Sequence, residues 1–164
     1  MTHSAAHDPT VRIDVETAAD AAAVEAVVLA AFGPGRFAKT AERLREQMVS
    51  LAGFVAREDH RVIGSVRLWP IRVGDTDALF LGPIAVEAVS RRAGLGADLV
   101  AACVDHARAE GVSGVLLVGD MPYFSRFGFA PSPDVDLPGP VDRRRLLWLP
   151  LTVPSVSGPV RPIG

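Results

Sequence analysis

Apolar and polar residues follow two different periods in the first part of the chain. From Val11 to Glu16 they alternate at every second position, which is typical of a half-buried strand. Thr17 and Asp20 then have the spacing of a capping box, and apolar residues recur at helical spacing from Val24 to Phe32. A Gly-Pro-Gly run that begins at Gly33 should end this helix. The pattern therefore predicts a strand followed by a helix.

The middle of the chain is expected to form one short helix and then three strands. The helix should extend from Thr40 to Ser50. The strands are expected at Phe54 to Arg57, at Val62 to Leu68 and at Ala78 to Val86. Pro70 follows the second of these strands and has no backbone donor, so it indicates a bulge or a sheet edge.

A second amphipathic helix is predicted from Ala97 to Glu110, with Gly111 as its C-cap. Small and apolar residues recur there at every fourth position, and these are Leu95, Leu99, Cys103 and Ala107. Residues with this spacing lie on one side of a helix. We therefore expect this side to face the sheet.

The last part of the chain is expected to form shorter elements and is richer in proline. Val115 to Val118 is a short apolar run that suits a buried central strand. Pro122 to Phe127 should be a short helix, and Leu146 to Leu149 a late strand. Residues 153–164 are rich in proline and are expected to form a tail or an edge. The resulting order, β-α-α-β-β-β-α-β-α-β-β, mixes hairpins with a crossover helix and predicts a mixed sheet in an α/β (α+β) domain.

Composition limits the class of protein. A chain of 164 residues, 49% hydrophobic and 22% charged, suits one soluble domain, which we place at residues 11–152 after a disordered tail at residues 1–10. The formal net charge of −2 argues against a general nucleic-acid binder. No apolar run is long enough to span a bilayer, and the first ten residues lack the apolar region of a signal peptide. With one cysteine, these features favour the cytoplasm.

The stretch Arg91-Arg92-Ala93-Gly94-Leu95-Gly96-Ala97 is the most informative chemical feature. It lies between a predicted strand and a predicted helix, where glycine lets the backbone approach a ligand closely. The free N–H groups of a first helical turn and the helix dipole favour an anion at this point. Two arginines add positive charge. The stretch therefore indicates a nucleotide-like cofactor that is held by its pyrophosphate.

A dinucleotide site is the competing interpretation of these glycines. Its fingerprint, Gly-x-Gly-x-x-Gly, requires a third glycine where this chain has Leu99. The fingerprint also places its first glycine close to the strand end, whereas residues 87–93 intervene here. The dinucleotide fingerprint is therefore incomplete in this chain, and dinucleotide binding is the less favoured alternative.

Two motifs resemble those of the GCN5-related N-acetyltransferase (GNAT) family. Arg91 to Gly96 is similar to the coenzyme A loop of that family, Arg/Gln-x-x-Gly-x-Gly/Ala. Gly119 to Phe129 is similar to the Gly-Asp-Pro-x-Tyr-Tyr-x-Arg-Phe-Gly-Phe segment of a bacterial subgroup. The resemblance is specific from about Leu81 to Phe129 and fades beyond Pro131.

The resemblance implies a fold and a set of cofactor contacts. The family has a mixed, mostly antiparallel sheet with two splayed strands and flanking helices. By position, the strand that binds the pantetheine arm of acetyl-CoA would contribute Ile84, Ala85 and Val86. The pyrophosphate would lie on residues 91–97, and Phe124 would pack near the pantetheine arm.

The family's usual general acid is missing from this chain. In the family, a tyrosine lies four residues before the glycine of Gly-Phe, and this position holds Phe124, which cannot donate a proton. Tyr123 is adjacent but turned by about 100° on a helix, and Ser125 is a weaker substitute. Asp120 is the nearest candidate for a general base, although capping of the short helix is the favoured role for this residue. Tyr123 and Ser125 therefore remain the candidate catalytic side chains.

Other reactive residue types carry ordinary structural interpretations. Cys103 lies on the apolar side of a predicted helix, where a buried thiol is expected rather than a nucleophile. Trp69 and Trp148 could line an acceptor pocket, although tryptophans in strands usually pack in cores. The four histidines have no metal-ligand spacing, and no metal is implied; they are His3, His7, His60 and His106.

The resemblance implies an N-acetyltransferase that moves an acetyl group from acetyl-CoA to a primary amine by direct attack. The acceptor would be a small molecule or a peptide, with no nucleic acid or membrane partner, and a homodimer is compatible with the sequence. A catalytically weak acetyl-CoA-binding sensor or interaction module of the same fold is the alternative, because the family's tyrosine is replaced by Phe124.

Overall fold

The computed structural model describes residues 11–33, 45, 50–87 and 94–163. The predicted helix at residues 40–50 falls almost entirely outside these residues, as do Arg91, Arg92 and Ala93 of the glycine loop. The elements, in chain order, are β1 (Val11–Val15), α1 (Ala21–Phe32), β2 (Ala52–Glu58), β3 (Arg61–Val73), β4 (Thr76–Leu81), β5 (Ala85–Val86), α2 (Leu95–Ala109), β6 (Gly114–Val118), α3 (Met121–Phe124), β7 (Ala130–Pro131), β8 (Val135–Asp136), β9 (Leu146–Pro150) and β10 (Gly158–Pro162).

The strands form one sheet in the order β1-β2-β3-β4-β6-β9-β7. Its neighbours run antiparallel except for β4 beside β6 and the short β8 beside β10. The expectation of a mixed, mostly antiparallel sheet flanked by helices is therefore confirmed. The parallel pair arises because α2 forms the crossover between β4 and β6.

The longest strand, β3, changes neighbours on both sides along its length. On one side β2 pairs with Arg61 to Leu68, and β10 then pairs with Ile71 to Val73. Pro70 lies between these two stretches, and its carbonyl accepts a hydrogen bond from the N–H of Ile163 at 3.3 Å. On this side of β3, the pairing with β2 ends at Leu68 and the pairing with β10 begins at Ile71, so neither strand pairs with Pro70. A residue without a backbone N–H is therefore tolerated at this position. Pro70 therefore lies inside a strand, at the junction of its two neighbours.

Two predicted features take a different form in the structure. The apolar run from Ala78 to Val86 is not one strand, since β4 ends at Leu81 and β5 begins at Ala85. Gly82 between them has φ +136°, and Pro83 has no N–H to donate. The prediction of a proline-rich tail at residues 153–164 is wrong, because β10 joins the sheet by pairing with β3.

The helices cover opposite faces of the sheet. Val24, Val27 and Val28 of α1 pack with Val55, Val62 and Ala85 on one face. The predicted stripe of α2 is buried on the other face and consists of Leu95, Leu99, Cys103 and Ala107. Both predicted helix ends are confirmed, since Gly33 and Gly111 have φ values of +68° and +69°.

In the part of the chain that the structure describes, no helix is long and apolar enough to cross a membrane.

A partly buried arginine on β2 fixes the start of α1 to the sheet. The guanidinium of Arg57 on β2 donates to both carboxylate oxygens of Asp20, at 2.9 and 2.8 Å, and to Asp14 at 2.8 Å. Asp20 also accepts from the backbone N–H of Thr17 at 2.8 Å, so the predicted capping pair is present. The hydrogen bonds from Arg57, followed by those from Thr17, lower the pKa of Asp20 to about 2.

We predict that Asp20→Asn destabilises the fold by about 1 to 3 kcal/mol near neutral pH, because Arg57 loses a charged, doubly hydrogen-bonded partner. The pKa of Asp20 is lowered from 3.8 to about 2, so its stabilising effect is complete above 3.8 and is lost as the pH falls towards 2. Urea unfolding of wild type and variant should therefore show a difference in free energy that shrinks between pH 4 and 2.

Asp14→Asn is the matched control, because Asp14 contacts the same guanidinium but its side chain is 34% exposed, against 9% for Asp20. This variant should lose less stability than Asp20→Asn. Equal losses, or a difference for Asp20→Asn that does not change with pH, would contradict the role assigned to Asp20.

Candidate functional site

The sheet opens between β5 and β6. β4 pairs with β6 at Leu79 and Phe80, opposite Val115 and Leu116. After the break at Gly82 the chain remains beside β3 but no longer pairs with β6. Two strands that are adjacent at one end of the sheet therefore separate at the other. Such an opening leaves backbone groups on its edge that can bind an extended ligand.

The register on β3 shows which backbone groups of β5 face the opening. Ala85 lies opposite Ser65 and Val86 opposite Gly64, and the N–H of Glu87 donates to Ile63 at 2.7 Å. In an antiparallel pair, the residues that bond to the partner strand alternate with residues that face away from it. The backbone of Ala85 therefore faces β3, whereas the N–H and C=O groups of Ile84 and Val86 face the opening. Two of the three predicted backbone positions thus line it.

The first turn of α2 presents three backbone N–H groups that have no hydrogen-bond acceptor within the helix. Gly94 is the N-cap in the left-handed conformation, with φ +85°, and its carbonyl accepts from Asp98 at 2.9 Å. The N–H groups of Leu95, Gly96 and Ala97 precede that first helical bond and have no acceptor within the helix. Leu95 is 2% exposed and holds this turn against the core. The turn is therefore a rigid, electropositive end suited to an anion.

The two glycines of the loop have different structural roles. Gly94 needs its positive φ, but a Cβ there would meet no atom of the described residues within 4 Å, so these residues leave open space beside it. A Cβ at Gly96 would lie 3.4 Å from the hydroxyl oxygen of Tyr123, which is ordinary contact distance. The loop thus has an open side at Gly94 and a side bounded by α3 at Gly96.

Phe124 is the last residue of α3, and its ring packs against Gly119, the residue that follows β6. Its side chain is 8% exposed and packs edge-on against Phe129, with ring centres 5.9 Å apart. Gly119 makes this packing possible, because a Cβ there would lie 2.4 Å from the Phe124 ring. The ring of Tyr123 meets Phe124 edge-on at 4.9 Å. The two aromatic residues therefore form a continuous wall from β6 to the first turn of α2.

The other candidate polar groups next to this wall have local partners. The hydroxyl of Ser125 donates to the carbonyl of Pro122 at 3.2 Å. The carboxylate of Asp120 accepts from the N–H of Tyr123 at 3.3 Å and caps α3, as the sequence favoured. Both side chains are exposed.

A small cavity lies between α1 and β3, on the face of the sheet opposite to α2. It has a volume of about 40 Å³ and is lined by Val24, Glu25 and Val28 of α1, by Ser65, Arg67 and Trp69 of β3, and by Pro83. The indole N–H of Trp69 donates to the carbonyl of Gly82, so this wall is fixed to the break between β4 and β5. Trp148 packs in the core of the same face and donates to Val153 at 3.0 Å.

The sequence analysis did not identify most of the charged groups on the face of the sheet that α1 covers. Arg67 makes a doubly hydrogen-bonded ion pair with Glu16, at 3.0 and 2.7 Å. Arg45 is 9% exposed, and its guanidinium carbon lies 5.6 Å from the centre of the Phe80 ring. One signal was available, because Ser65 and Arg67 are polar at alternate positions of the predicted strand Val62 to Leu68, whose other residues are apolar.

Cys103 is confirmed as a buried thiol. Its side chain is fully buried in the core beneath α2, and burial raises the pKa of the thiol to about 12. A thiol of this kind is protonated at neutral pH and has no path to a substrate. Among the described residues, no three His, Cys, Asp or Glu side chains come together in a way that could hold a metal ion.

Comparison with known proteins gives consistent results. The model of the acetyltransferase (GNAT) family matches residues 23–129. The uncharacterized N-acetyltransferase YhbS of Escherichia coli K12 is 35% identical over 120 residues, which cover 71% of this chain and 72% of YhbS. The crystal structure of E. coli YhbS in complex with CoA is similar with a TM-score of 0.81 at 28% identity, over 98% of this chain and 94% of YhbS.

A second solved structure has the same fold. It is a GNAT family acetyltransferase from Brucella melitensis in complex with acetyl-CoA, with a TM-score of 0.74 at 24% identity, over 96% of this chain and 98% of that protein. The family model matches residues 23–129, and this range contains both the opening between β5 and β6 and the first turn of α2. The chain belongs to the GNAT family of acetyltransferases.

Proposed function

We propose that this protein transfers an acetyl group from acetyl-CoA to a primary amine. One observation carries the proposal: the opening between β5 and β6 lies next to the first turn of α2, whose N–H groups have no acceptor within the helix. An extended arm that ends in two phosphates would bind across both features, its amides on the backbone of Ile84 and Val86 and its phosphates on residues 94–97. The relatives crystallised with CoA and acetyl-CoA support this ligand.

The chain's own groups are suited to direct attack by the amine. Acetyl-CoA supplies an activated thioester, and an N–H on β5 that faces the opening would polarise its carbonyl oxygen. Holding the two reactants in a fixed orientation supplies a large part of the acceleration in reactions of this kind. A thiol with an ordinary pKa of about 8.5 leaves without obligatory protonation. Catalysis here therefore depends on the backbone and on orientation.

The cavity beside Pro83 is the proposed route for the acceptor amine. It lies on the α1 face of the sheet, whereas the glycine turn lies on the side of α2, so the two substrates would meet at the opening from opposite faces. Glu25 gives the cavity a carboxylate that suits an ammonium group. Asp120 is less suited to act as the base, because its carboxylate caps α3.

A binding module that lacks turnover is the second candidate, and Phe124 is the observation that favours it. The experiment that separates the two is a steady-state assay of CoA release with a panel of small amines and N-terminal peptides. Amine-dependent release above the rate of acetyl-CoA hydrolysis supports the transferase. Tight binding of acetyl-CoA without release for any amine would support the sensor instead.

We predict that Gly94→Asp weakens acetyl-CoA binding by about tenfold or more, because it places a negative charge where the phosphates should bind. Isothermal titration calorimetry measures this loss. Gly111→Asp is a closely matched control: Gly111 flanks the other end of α2, also has a positive φ, and would also bring an added Cβ within 4 Å of no other atom. Similar affinities for the two variants would contradict the cofactor site.

We also predict that no acetyl-enzyme forms on Cys103, because a buried thiol with a pKa of about 12 is not a nucleophile. Intact-mass spectrometry after incubation with acetyl-CoA alone should show the unmodified chain. Cys103→Ala should retain a kcat close to that of the wild type, with a loss of stability from the cavity that it leaves. An added acetyl mass that disappears in Cys103→Ala would overturn direct attack.

A further inference from the structure

The hydroxyl of Tyr123 lies at the first turn of α2. Its oxygen is 3.4 Å from the position that a Cβ of Gly96 would occupy. Gly96 is the second residue of the helix, and its N–H is one of the free donors of that turn. The phenol therefore adds a fourth donor beside the three backbone N–H groups.

A positive charge lies over the same ring. The guanidinium carbon of Arg126 is 4.4 Å from the centre of the Tyr123 ring, which is the geometry of a cation–π contact. The Nε–H of Arg126 donates to the backbone carbonyl of Tyr123 at 3.1 Å, so the side chain is held at two points. The terminal nitrogens keep their N–H groups for a further partner.

Two opposite charges lie near the first turn of α2, on Asp98 and on Arg126. Asp98 lies in the first turn of α2 and is exposed, so it opposes the binding of an anion at the same turn. The positive charge of Arg126, which lies over the ring of Tyr123, offsets that negative charge. Because Arg126 is exposed, salt should screen its effect.

We propose that Tyr123 and Arg126 bind the pyrophosphate of acetyl-CoA, as a polar clamp that Tyr123 of α3 and Arg126 of the turn after it form against the first turn of α2. Tyr123 is then a cofactor-positioning residue and not the acid that protonates the leaving thiol. This inference rests on the proposed function, because it assigns residues to the same cofactor site. It explains why the chain's one tyrosine points to the glycine turn.

The test compares Tyr123→Phe and Arg126→Gln with Arg108→Gln, which removes an exposed cation from the far end of α2. Tyr123→Phe should raise the Kd and KM for acetyl-CoA by about 3- to 10-fold and leave kcat within about threefold of wild type. Arg126→Gln should have a similar effect that decreases with added salt. Arg108→Gln should change neither constant.

Ligand analogues identify the group that the clamp binds. With 3′-dephospho-acetyl-CoA the effects of both substitutions should persist, since the pyrophosphate is intact. With acetyl-pantetheine, which has no phosphate, both effects should disappear. Effects that vanish with the dephospho analogue would assign the clamp to the 3′-phosphate and overturn the proposal.

A different result would restore the catalytic role of Tyr123. A fall in kcat of about 100-fold or more, with an unchanged Kd, is the result expected for a general acid and would overturn the clamp. Failure of the proposed function is distinguishable, because the wild-type protein would then not bind acetyl-CoA at all. Binding by the wild type with unaltered Kd in both variants would reject the clamp alone.

Discussion

The functional geometry of this protein depends on a strand that cannot continue alongside its neighbour. The backbone at Gly82 and Pro83 ends the pairing with β6, and the next residues are held only by β3. Gly64 allows this, because a Cβ there would lie 3.1 Å from the carbonyl oxygen of Ala85 and 3.3 Å from Leu99. β5 and α2 can therefore both pack closely against β3. The opening lies on the other side of β5, between β5 and β6.

The opening also needs support from the other face of the sheet. Ala85 packs beneath α1, and α1 is positioned by ion pairs near its start. Arg57 holds Asp20 and Asp14, while Arg67 holds Glu16, so two arginines of adjacent strands fix the segment that leads from β1 into α1. Arg67 also lines the small cavity between α1 and β3. The same charged groups thus position α1 and border this cavity.

The local sequence pattern was sufficient to predict most of the regular elements and the glycine-containing turn at the start of α2. The spacing of Leu95, Leu99 and Cys103 identified the buried side of α2, because helical periodicity alone decides which residues face a sheet. Gly94 was recognisable because a left-handed N-cap strongly favours glycine. These features are set by residues close together in the chain, which is why one sequence was sufficient to find them.

Features set by distant residues were less accessible. The break after Leu81 is hidden in an apolar run, since the residues there are buried or half-buried whether or not the strand continues. The partners of Arg57 and Arg67 lie 37 to 51 residues away and cannot be paired from spacing. The direction of Tyr123 follows from the position of α2 relative to α3, which only tertiary packing determines.

The pairing of β10 with β3 has a consequence for how the chain acquires its fold. Val160 lies opposite Val73, so the central strand gains its last neighbour from residues that the ribosome makes much later. Contacts between such distant segments slow folding, because the intervening chain must first be ordered. A nascent chain that ends before residue 158 would expose one side of β3 at Ile71 to Val73, an unpaired edge of the kind that promotes association with other chains.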